Sequence, residues 1–547
     1  MKMRGVDVIA RILKAEGVEF VTCFPMNPIL DAVAAVGIRP IVVRNERIAV
    51  NMADAVSRST SGQRIGVCVA QYGPGSENSF PGVAEAFSDS SPILMLAGAN
   101  ERSTLSVAPN FNSGRSYKSV SKWSESVLET AKIPLMMGRA FSLLRSGKGG
   151  PVVLEFPKDV MLAEFPEDDF SYIPTRRSSP APDRAAVRDL LDILLGAKKP
   201  IIYAGQGVIY AQAWAELQAF AEFMQIPVMT SLNGKGAIAE NHPLAIGAAN
   251  GISRADQVNY FLDAGDLFFG IGTSFTRSIF IAPFPAGKTF TQISIDSSDF
   301  NKDYATTLGV VGDARAALVM LLEEAKERLG ANADRGTAAA QEVGAQKNAF
   351  RDAWNAKLTS DEKPISPYRV IHEIKQILDP KRSVVTHDAG SPRDQLVPLY
   401  EAESPHGYLS WGKSTPLGSG LGLIMGAKLA HPDWDAVNFM GEAAFGMVGM
   451  DFETSVRENI PIMTVVINNG VMGGYTKKQP IAVEKYRVNE LTGNYSAVAA
   501  ALGGYSERVF EVDDLRPALE RGLQSTRAGK SALIEVMVVE DYGYPGT

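Results

Sequence analysis

The feature that most constrains this chain is a strand–loop–helix–strand–loop pattern between residues 437 and 475. Val437–Met440 and Pro461–Ile467 are apolar runs with the length and composition of buried parallel strands. The first run leads into Gly441-Glu442-Ala443-Ala444, and the second into Asn468-Asn469-Gly470, which is a turn signal. Two parallel strands joined through a helix place both loops at one edge of a sheet, where α/β sheets bind ligands.

Glu442 and Asn469 give these two loops their chemistry. A carboxylate and an amide at one sheet edge suit Mg²⁺, which takes oxygen ligands and keeps phosphate partners. The small residues Gly441, Ala443 and Ala444 let backbone amides approach an anion. Each loop by itself is equally compatible with an ordinary strand-to-helix turn or β-turn.

The rest of the chain also alternates helices and strands, and the composition limits the class of protein. A length of 547 residues predicts about three domains. A content of 45% hydrophobic and 21% charged residues is typical of a soluble globular protein, and a net charge of −7 makes no case for binding nucleic acid. The sequence has no run of about 18 apolar residues, so no membrane association is expected. Two cysteines are too few for a disulfide framework, which predicts a cytoplasmic location.

Three domains follow from the alternation, with predicted bounds of 1–175, 184–330 and 363–547. Residues 174–183 (PTRRSSPAPD) form a linker by composition, and residues 331–362 a connecting helix with a loop. Because helices and strands alternate within each range, the predicted fold class is α/β, with three consecutive doubly wound parallel-sheet domains.

Glu46 is the most informative residue of the first domain. It lies between the strand-like run Pro40–Val43 and the helical pattern Ile48–Arg58. Glu46 or Asn45 could cap the helix, or Glu46 could be a first-turn acid favoured by the helix dipole. None of the five histidines lies in the first 241 residues, so a mechanism that needs an imidazole from this domain is disfavoured.

These stretches resemble the thiamine-diphosphate (ThDP) enzymes of the acetolactate synthase-like group. Gly441-Glu442, with Asn469 27 positions after the acid, is similar to the GDG…NN diphosphate-binding motif of that family. Arg44-Asn45-Glu46, followed by Met52-Ala53-Asp54-Ala55, resembles the start of its pyrimidine-binding helix. The resemblance covers nearly the whole chain and implies that the three domains bind the pyrimidine ring, form a central domain and bind the diphosphate.

The resemblance also implies a role for each candidate residue. Glu46 would be the catalytic acid that bonds a pyrimidine nitrogen and shares the proton that activates the cofactor. The metal ligands would be Glu442, the Asn469 side chain and the Val471 carbonyl. The expected cofactor-binding residues are Asn78, Gly390, Ser391, Leu417 (an apolar wedge beneath the thiazolium ring), Gly441, Glu442, Ala443, Ala444, Asn469, Val471 and Met472. Asn112, Met472 and Tyr475 are expected on the substrate side.

Glu442 departs from the family, whose metal-binding acid is normally Asp. Mg²⁺ demands near-ideal geometry at about 2.0–2.1 Å, and Glu is one methylene longer. The loop must therefore shift back, or the affinity for Mg²⁺ or the choice of divalent cation will differ.

The substrate class stays open between three alternatives. The first is decarboxylation and carboligation of a 2-oxo acid, with an aldehyde or ketone as partner, as in acetolactate synthase. The second is an acyl-CoA lyase or decarboxylase, because residues 441–454 resemble oxalyl-CoA decarboxylases and 2-hydroxyacyl-CoA lyases. The third is a relative that binds cofactor without turnover, which Glu442 suggests and Glu46 opposes. FAD or ADP in the central domain is also open, since Gly205-Gln206-Gly207 lacks the third glycine of a dinucleotide motif.

A homodimer or homotetramer is expected. Glu46 and Glu442 must reach opposite ends of one cofactor from different domains. The family meets this requirement by pairing the pyrimidine-binding domain of one chain with the diphosphate-binding domain of another.

Overall fold

The first part of the chain folds as alternating helices and buried strands. The structure, a computed structural model, describes residues 3–25 and 27–546. The strands of this part are β1 (Met3–Arg4), β2 (Phe20–Cys23), β3 (Arg39–Val42), β4 (Gly66–Ala70), β5 (Ile93–Ala99), β6 (Trp123–Ser126), β7 (Val152–Pro157) and β8 (Glu164–Phe165). The helices are α1 (Gly5–Ala15), α2 (Ile29–Ala35), α3 (Glu46–Ser59), α4 (Pro74–Ser88), α5 (Ser113–Ser116), α6 (Ile133–Arg145) and α7 (Lys158–Leu162).

The middle part repeats the alternation around a second sheet. Its strands are β9 (Pro200–Ala204), β10 (Val228–Thr230), β11 (Ala245–Ala248), β12 (Leu267–Ile271), β13 (Thr289–Ser294) and β14 (Leu308–Val311). Its helices are α8 (Arg184–Gly196), α9 (Gln206–Tyr210), α10 (Trp214–Met224), α11 (Asp256–Ala264) and α12 (Ala314–Leu329).

The last part contains the third sheet, which is preceded by the predicted connecting helix, α13 (Ala338–Leu358). Its strands are β15 (Ser383–His387), β16 (Tyr408–Leu409), β17 (Asp435–Gly441), β18 (Met463–Asn468), β19 (Tyr505–Val509) and β20 (Ala532–Met537). The remaining helices are α14 (Pro367–Ile377), α15 (Ser391–Leu396), α16 (Ser419–Ala430), α17 (Glu442–Val448), α18 (Phe452–Arg457), α19 (Tyr475–Lys478), α20 (Pro480–Tyr486), α21 (Tyr495–Ala501) and α22 (Val512–Arg527).

Strand order shows that the first and third sheets are built alike. Across the described residues, the three six-stranded sheets have the orders β3-β2-β4-β5-β7-β6, β11-β10-β9-β12-β13-β14 and β16-β15-β17-β18-β20-β19. In the first and third sheets the chain places its second strand on one side of the first strand and its third strand on the other. Parallel sheets bind ligands where the strand order changes direction in this way, beyond the carboxyl ends of the strands. The loops after β15 and β17 therefore border a binding crevice.

All the strand pairings within these three sheets are parallel, as in β17 with β18, and this confirms the predicted α/β fold class. Each sheet draws its strands from one of the predicted ranges 1–175, 184–330 and 363–547. The exact domain bounds stay a prediction.

Helices α3 and α16 pack closely and join the first sheet to the third. Gly422 faces Asn51, and a methyl group on Gly426 would lie 2.2 Å from the Met52 carbonyl oxygen. Both helices contribute to one buried apolar core. The glycines of α16 thus allow the two helices to pack closely. The helices begin side by side, with Glu46 at the start of α3.

One local prediction was wrong. Glu442, expected in a loop, is the first residue of α17, because Gly441 takes the N-cap position and the helix dipole favours an acid in the first turn.

Candidate active site

Glu46 lies at the start of α3 and is only 6% exposed. The preceding residue, Asn45, is the helix N-cap and accepts a hydrogen bond from the Arg47 backbone N–H. The Glu46 carboxylate is therefore not used in capping. Its Oε2 accepts a hydrogen bond from Asn78 Nδ2 at 3.1 Å, and its Oε1 lies beside Gly75 at the start of α4. Two predicted site residues, Glu46 and Asn78, thus come together.

The loop after β15 holds the predicted residues Gly390 and Ser391. Gly390 has a φ of 85°, a conformation that favours glycine, and Ser391 begins α15. The Ser391 hydroxyl lies 2.9 Å from the Tyr544 hydroxyl, so the end of the chain crosses this loop. Sequence reasoning missed Tyr544, because nothing near it in sequence marks a site.

Asp388, in the same loop, is a second residue that sequence reasoning missed. It is fully buried, and burial raises its pKa to about 6. Its Oδ1 accepts the backbone N–H of Gly418 at 2.9 Å, and its Oδ2 accepts that of Gly420 at 3.0 Å. Asp388 therefore fixes the start of α16, and with it the predicted wedge residue Leu417, which is partly buried.

Glu442 is 3% exposed at the start of α17, between Gly441 and the small residues Ala443 and Ala444. Burial raises the pKa of its carboxyl to about 7, although the backbone amides of residues 469–471 face it and favour the charged form. Its Oε1 is buried without a hydrogen-bond partner. The structure thus brings Glu442 against the loop of the predicted ligands Asn469 and Val471.

The loop after β18 is shaped by its own polar groups. Asn469 Oδ1 accepts the Val471 backbone N–H at 3.1 Å, and the Met472 N–H donates to the Asn489 carbonyl at 2.7 Å. Tyr475 begins α19 and is 44% exposed. Both predicted substrate-side residues of this loop, Met472 and Tyr475, therefore lie at the surface edge of the third sheet.

Asn112 lies elsewhere, in the first part of the chain. It is the N-cap of α5, and its Oδ1 accepts the Arg115 backbone N–H at 2.8 Å. Among the described residues, no hydrogen bond or ion pair joins Glu46 or Asn78 to Glu442 or Asn469. The predicted residues thus form two groups, one in the first part of the chain and one in the third, which are called the two half-sites.

The oxygen atoms near Glu442 fit a divalent cation. Among the described residues, no group of three or more His, Cys, Asp and Glu side chains could hold a metal ion. A cation here would instead depend on one carboxylate with neutral amide and carbonyl oxygens. The unpartnered Oε1 of Glu442 is such an acceptor, since buried oxygens normally have a partner.

A cavity of about 160 Å³ lies beside the loop after β9. Lys148 and Arg177 are among its lining residues. The glycines of this loop have a packing role, because a methyl group on Gly205 would lie 2.3 Å from the Gly272 carbonyl oxygen. The sequence left FAD or ADP in the central domain open, and the cavity by itself favours neither.

Among the helices that the structure describes, none has the length and apolar character needed to cross a membrane.

Comparison with known protein families covers all three parts of the chain. The N-terminal TPP binding domain of thiamine pyrophosphate enzymes matches residues 3–119, and their central domain matches residues 187–321. Their C-terminal TPP binding domain matches residues 388–536. Thiamine pyrophosphate, or TPP, is another name for ThDP, and these descriptions name no flavin.

Similar proteins match over almost their whole length. A glyoxylate carboligase of Escherichia coli O157:H7 is 31% identical over 95% of this chain and 90% of its own. A probable acetolactate synthase large subunit of Methanococcus aeolicus is 28% identical, with the same coverage. The acetolactate synthase isozyme 3 large subunit of Escherichia coli strain K12 is 26% identical over 98% of this chain and 95% of its own. The chain therefore belongs to the ThDP-dependent enzymes of the acetolactate synthase-like group.

Proposed function

We propose that the protein decarboxylates a small 2-oxo acid and joins the remaining carbon unit to a second carbonyl compound. ThDP, when bound, supplies the carbon nucleophile and holds the electron pair left by the departing CO₂. One carbon–carbon bond breaks to release CO₂, and another forms to the carbonyl carbon of the second substrate, whose oxygen takes up a proton. Glyoxylate is the first acid to test, because the relative at 31% identity is a glyoxylate carboligase.

The position of Glu46 is the observation that carries this proposal. Its buried carboxyl is held by Asn78 near the carboxyl ends of the strands of the first sheet. A carboxyl group at that place can bond the pyrimidine nitrogen and move the proton that activates the cofactor. A protein that only binds ThDP has no need of such a group.

The second half-site would hold the diphosphate end of the cofactor. Glu442, the Asn469 side chain and the Val471 carbonyl would bind a divalent cation, and the unpartnered Oε1 of Glu442 supports this role. Gly390 and Ser391 border the same crevice from the loop after β15. Leu417 would support the thiazolium ring, while Asn112, Met472 and Tyr475 would face the substrate.

The proposal is tested by supplying ThDP, Mg²⁺ and one candidate substrate at a time. Glyoxylate, pyruvate and 2-oxobutanoate represent the 2-oxo acids, and oxalyl-CoA and a 2-hydroxyacyl-CoA represent the alternative class. Released CO₂ and the mass of the ligated product are measured, with Glu46→Gln as the inactive control. CO₂ release with a ligated product from a 2-oxo acid supports the proposal. Turnover of acyl-CoA substrates alone would overturn it, as would ThDP binding without turnover of any substrate.

A further inference from the structure

Glu535 is a buried carboxylate behind the loop that follows β18. It lies on β20, which pairs with β18, and its side chain is fully buried. Its Oε1 accepts a hydrogen bond from Asn468 Nδ2 at 2.7 Å, and its Oε2 accepts the Ser496 backbone N–H at 2.9 Å. Both carboxylate oxygens thus accept from donors of two other segments, β18 and α21, and Oε1 also lies 3.4 Å from Arg508 Nε on β19.

Asn468 connects Glu535 to the loop of the proposed cation site through its side-chain amide. Its amide nitrogen donates to Glu535, so its Oδ1 is directed the other way and accepts the Gly470 backbone N–H at 3.0 Å. Gly470 has a φ of 75° and lies between Asn469 and Val471, the two proposed ligands of this loop. The orientation of one buried amide therefore sets the turn that presents both ligands.

We propose that Glu535 is a positioning residue for the divalent-cation site and acts through Asn468. This inference rests on the cation site of the proposed function. A carboxylate is required because the Asn468 NH₂ group and the Ser496 N–H both donate and the Arg508 guanidinium pairs with Oε1, and only an ionised acid offers two acceptor oxygens and no donor. Outer groups that orient metal ligands typically change metal affinity about 10–100-fold when they are mutated.

Glu535→Gln tests this requirement without changing the size of the side chain. The amide nitrogen of the new glutamine must face either the Ser496 N–H or the Asn468 NH₂ group. Two hydrogen-bond donors then face each other, and no bond forms between them. If the Asn468 amide rotates to accept from the glutamine, the Gly470 N–H loses its acceptor. We expect cation affinity to fall about 10–100-fold.

Glu535→Gln combined with Asn468→Asp should restore the matching of hydrogen-bond donors with acceptors. The new carboxylate at position 468 can accept from the new amide at position 535 and from the Gly470 N–H, while the amide oxygen at 535 accepts from Ser496. The pair keeps one negative charge. Asn468→Asp alone would set two carboxylates face to face and should weaken the site.

The experiment titrates metal-free protein with Mn²⁺ in the presence of ThDP and measures free Mn²⁺ by electron paramagnetic resonance. Thermal unfolding of each metal-free variant is measured alongside. Glu155→Gln is the matched control, because Glu155 is also fully buried in a strand and accepts a backbone N–H, from Ser113. Its cation affinity should stay within about 3-fold of wild type, since it lies in the first sheet.

Weaker Mn²⁺ binding by Glu535→Gln and recovery in the double variant would support the inference. Wild-type affinity in Glu535→Gln would overturn it, even if the metal-free protein unfolds at a lower temperature, because the role is then structural only. Failure of the folded double variant to recover would also overturn it. If wild type itself binds no Mn²⁺, the proposed cation site is wrong, and this inference falls with it.

Discussion

At Glu46, replacing one oxygen with nitrogen separates cofactor binding from proton transfer. Glu46→Gln keeps an oxygen that can accept from Asn78, so we expect ThDP affinity to stay within about 3-fold of wild type. Turnover should fall by roughly 10²–10⁴-fold, because an amide cannot move the proton. Calorimetric ThDP binding and CO₂ release measure the two quantities.

Glu77→Gln is the matched control for this variant. Glu77 lies beside Asn78 on α4 and, unlike Glu46, is exposed, so both affinity and turnover should be unchanged. Undiminished turnover in Glu46→Gln would reject the role assigned to Glu46.

A second prediction concerns Glu442 as a metal ligand. If it ligates a divalent cation, chelator treatment followed by gel filtration should remove ThDP from the protein. Glu442→Asp should keep or tighten Mg²⁺ binding, because it restores the shorter acid of the family, whereas Glu442→Gln should weaken it by removing the charge. Full ThDP occupancy without any divalent ion would show that the diphosphate is held in another way.

The sequence could identify the residues with a characteristic spacing, but not those that hold them. Glu46 and Glu442 follow strand-like runs and match a known pattern, so both were predicted as site residues. Asp388 and Glu535 each bond backbone or side chains from distant segments, at residues 418–420 and at 468 and 496. Their partners are adjacent only after the third sheet has formed, so no local pattern marks them.

Among the elements, the contact between α3 and α16 is the one most open to test. Gly426→Ala would place a methyl group 2.2 Å from the Met52 carbonyl oxygen, so the two helices would have to separate. We expect a loss of about 1–3 kcal/mol or more in the free energy of unfolding, typical of overpacked interiors. The thermal unfolding midpoint should fall by several degrees.

Gly344→Ala serves as its control. Gly344 lies inside α13, and no atom lies within 4 Å of the position of an added methyl group. Alanine is the better helix former there, so we expect a gain of about 0.5–1 kcal/mol. Equal effects of the two substitutions would contradict the close packing of α16 on α3.

Element prediction succeeded where the chain has a clear apolar run. Val437–Met440 lies within β17 and Pro461–Ile467 overlaps β18, as predicted. The strand β6, Trp123–Ser126, was missed, because it lies at the edge of the first sheet and its residues are largely polar. An edge strand need not be an apolar run, so its sequence carries little signal.

For the whole molecule, exposed apolar side chains lie close to both half-sites. Tyr72 precedes α4 of the first part, Met447 lies in α17, the helix that Glu442 begins, and Met450 follows that helix; all three are between 44% and 55% exposed. Side chains of this kind are commonly covered by another protein surface. We therefore expect a homodimer, or a tetramer made of such dimers, in which the first part of one chain covers the third part of another.

Subunit mixing tests this arrangement directly. Glu46→Gln and Glu442→Ala chains should each be inactive alone, because each lesion affects every site of its own homodimer. In a mixed dimer one shared site carries both lesions and the other carries neither. With random pairing, co-expression should therefore restore about a quarter of wild-type turnover. Differently tagged chains, purified through both tags, provide the mixed dimer for assay. A fully active monomer in sedimentation, or inactive mixed dimers, would mean that both carboxylates act within a single chain.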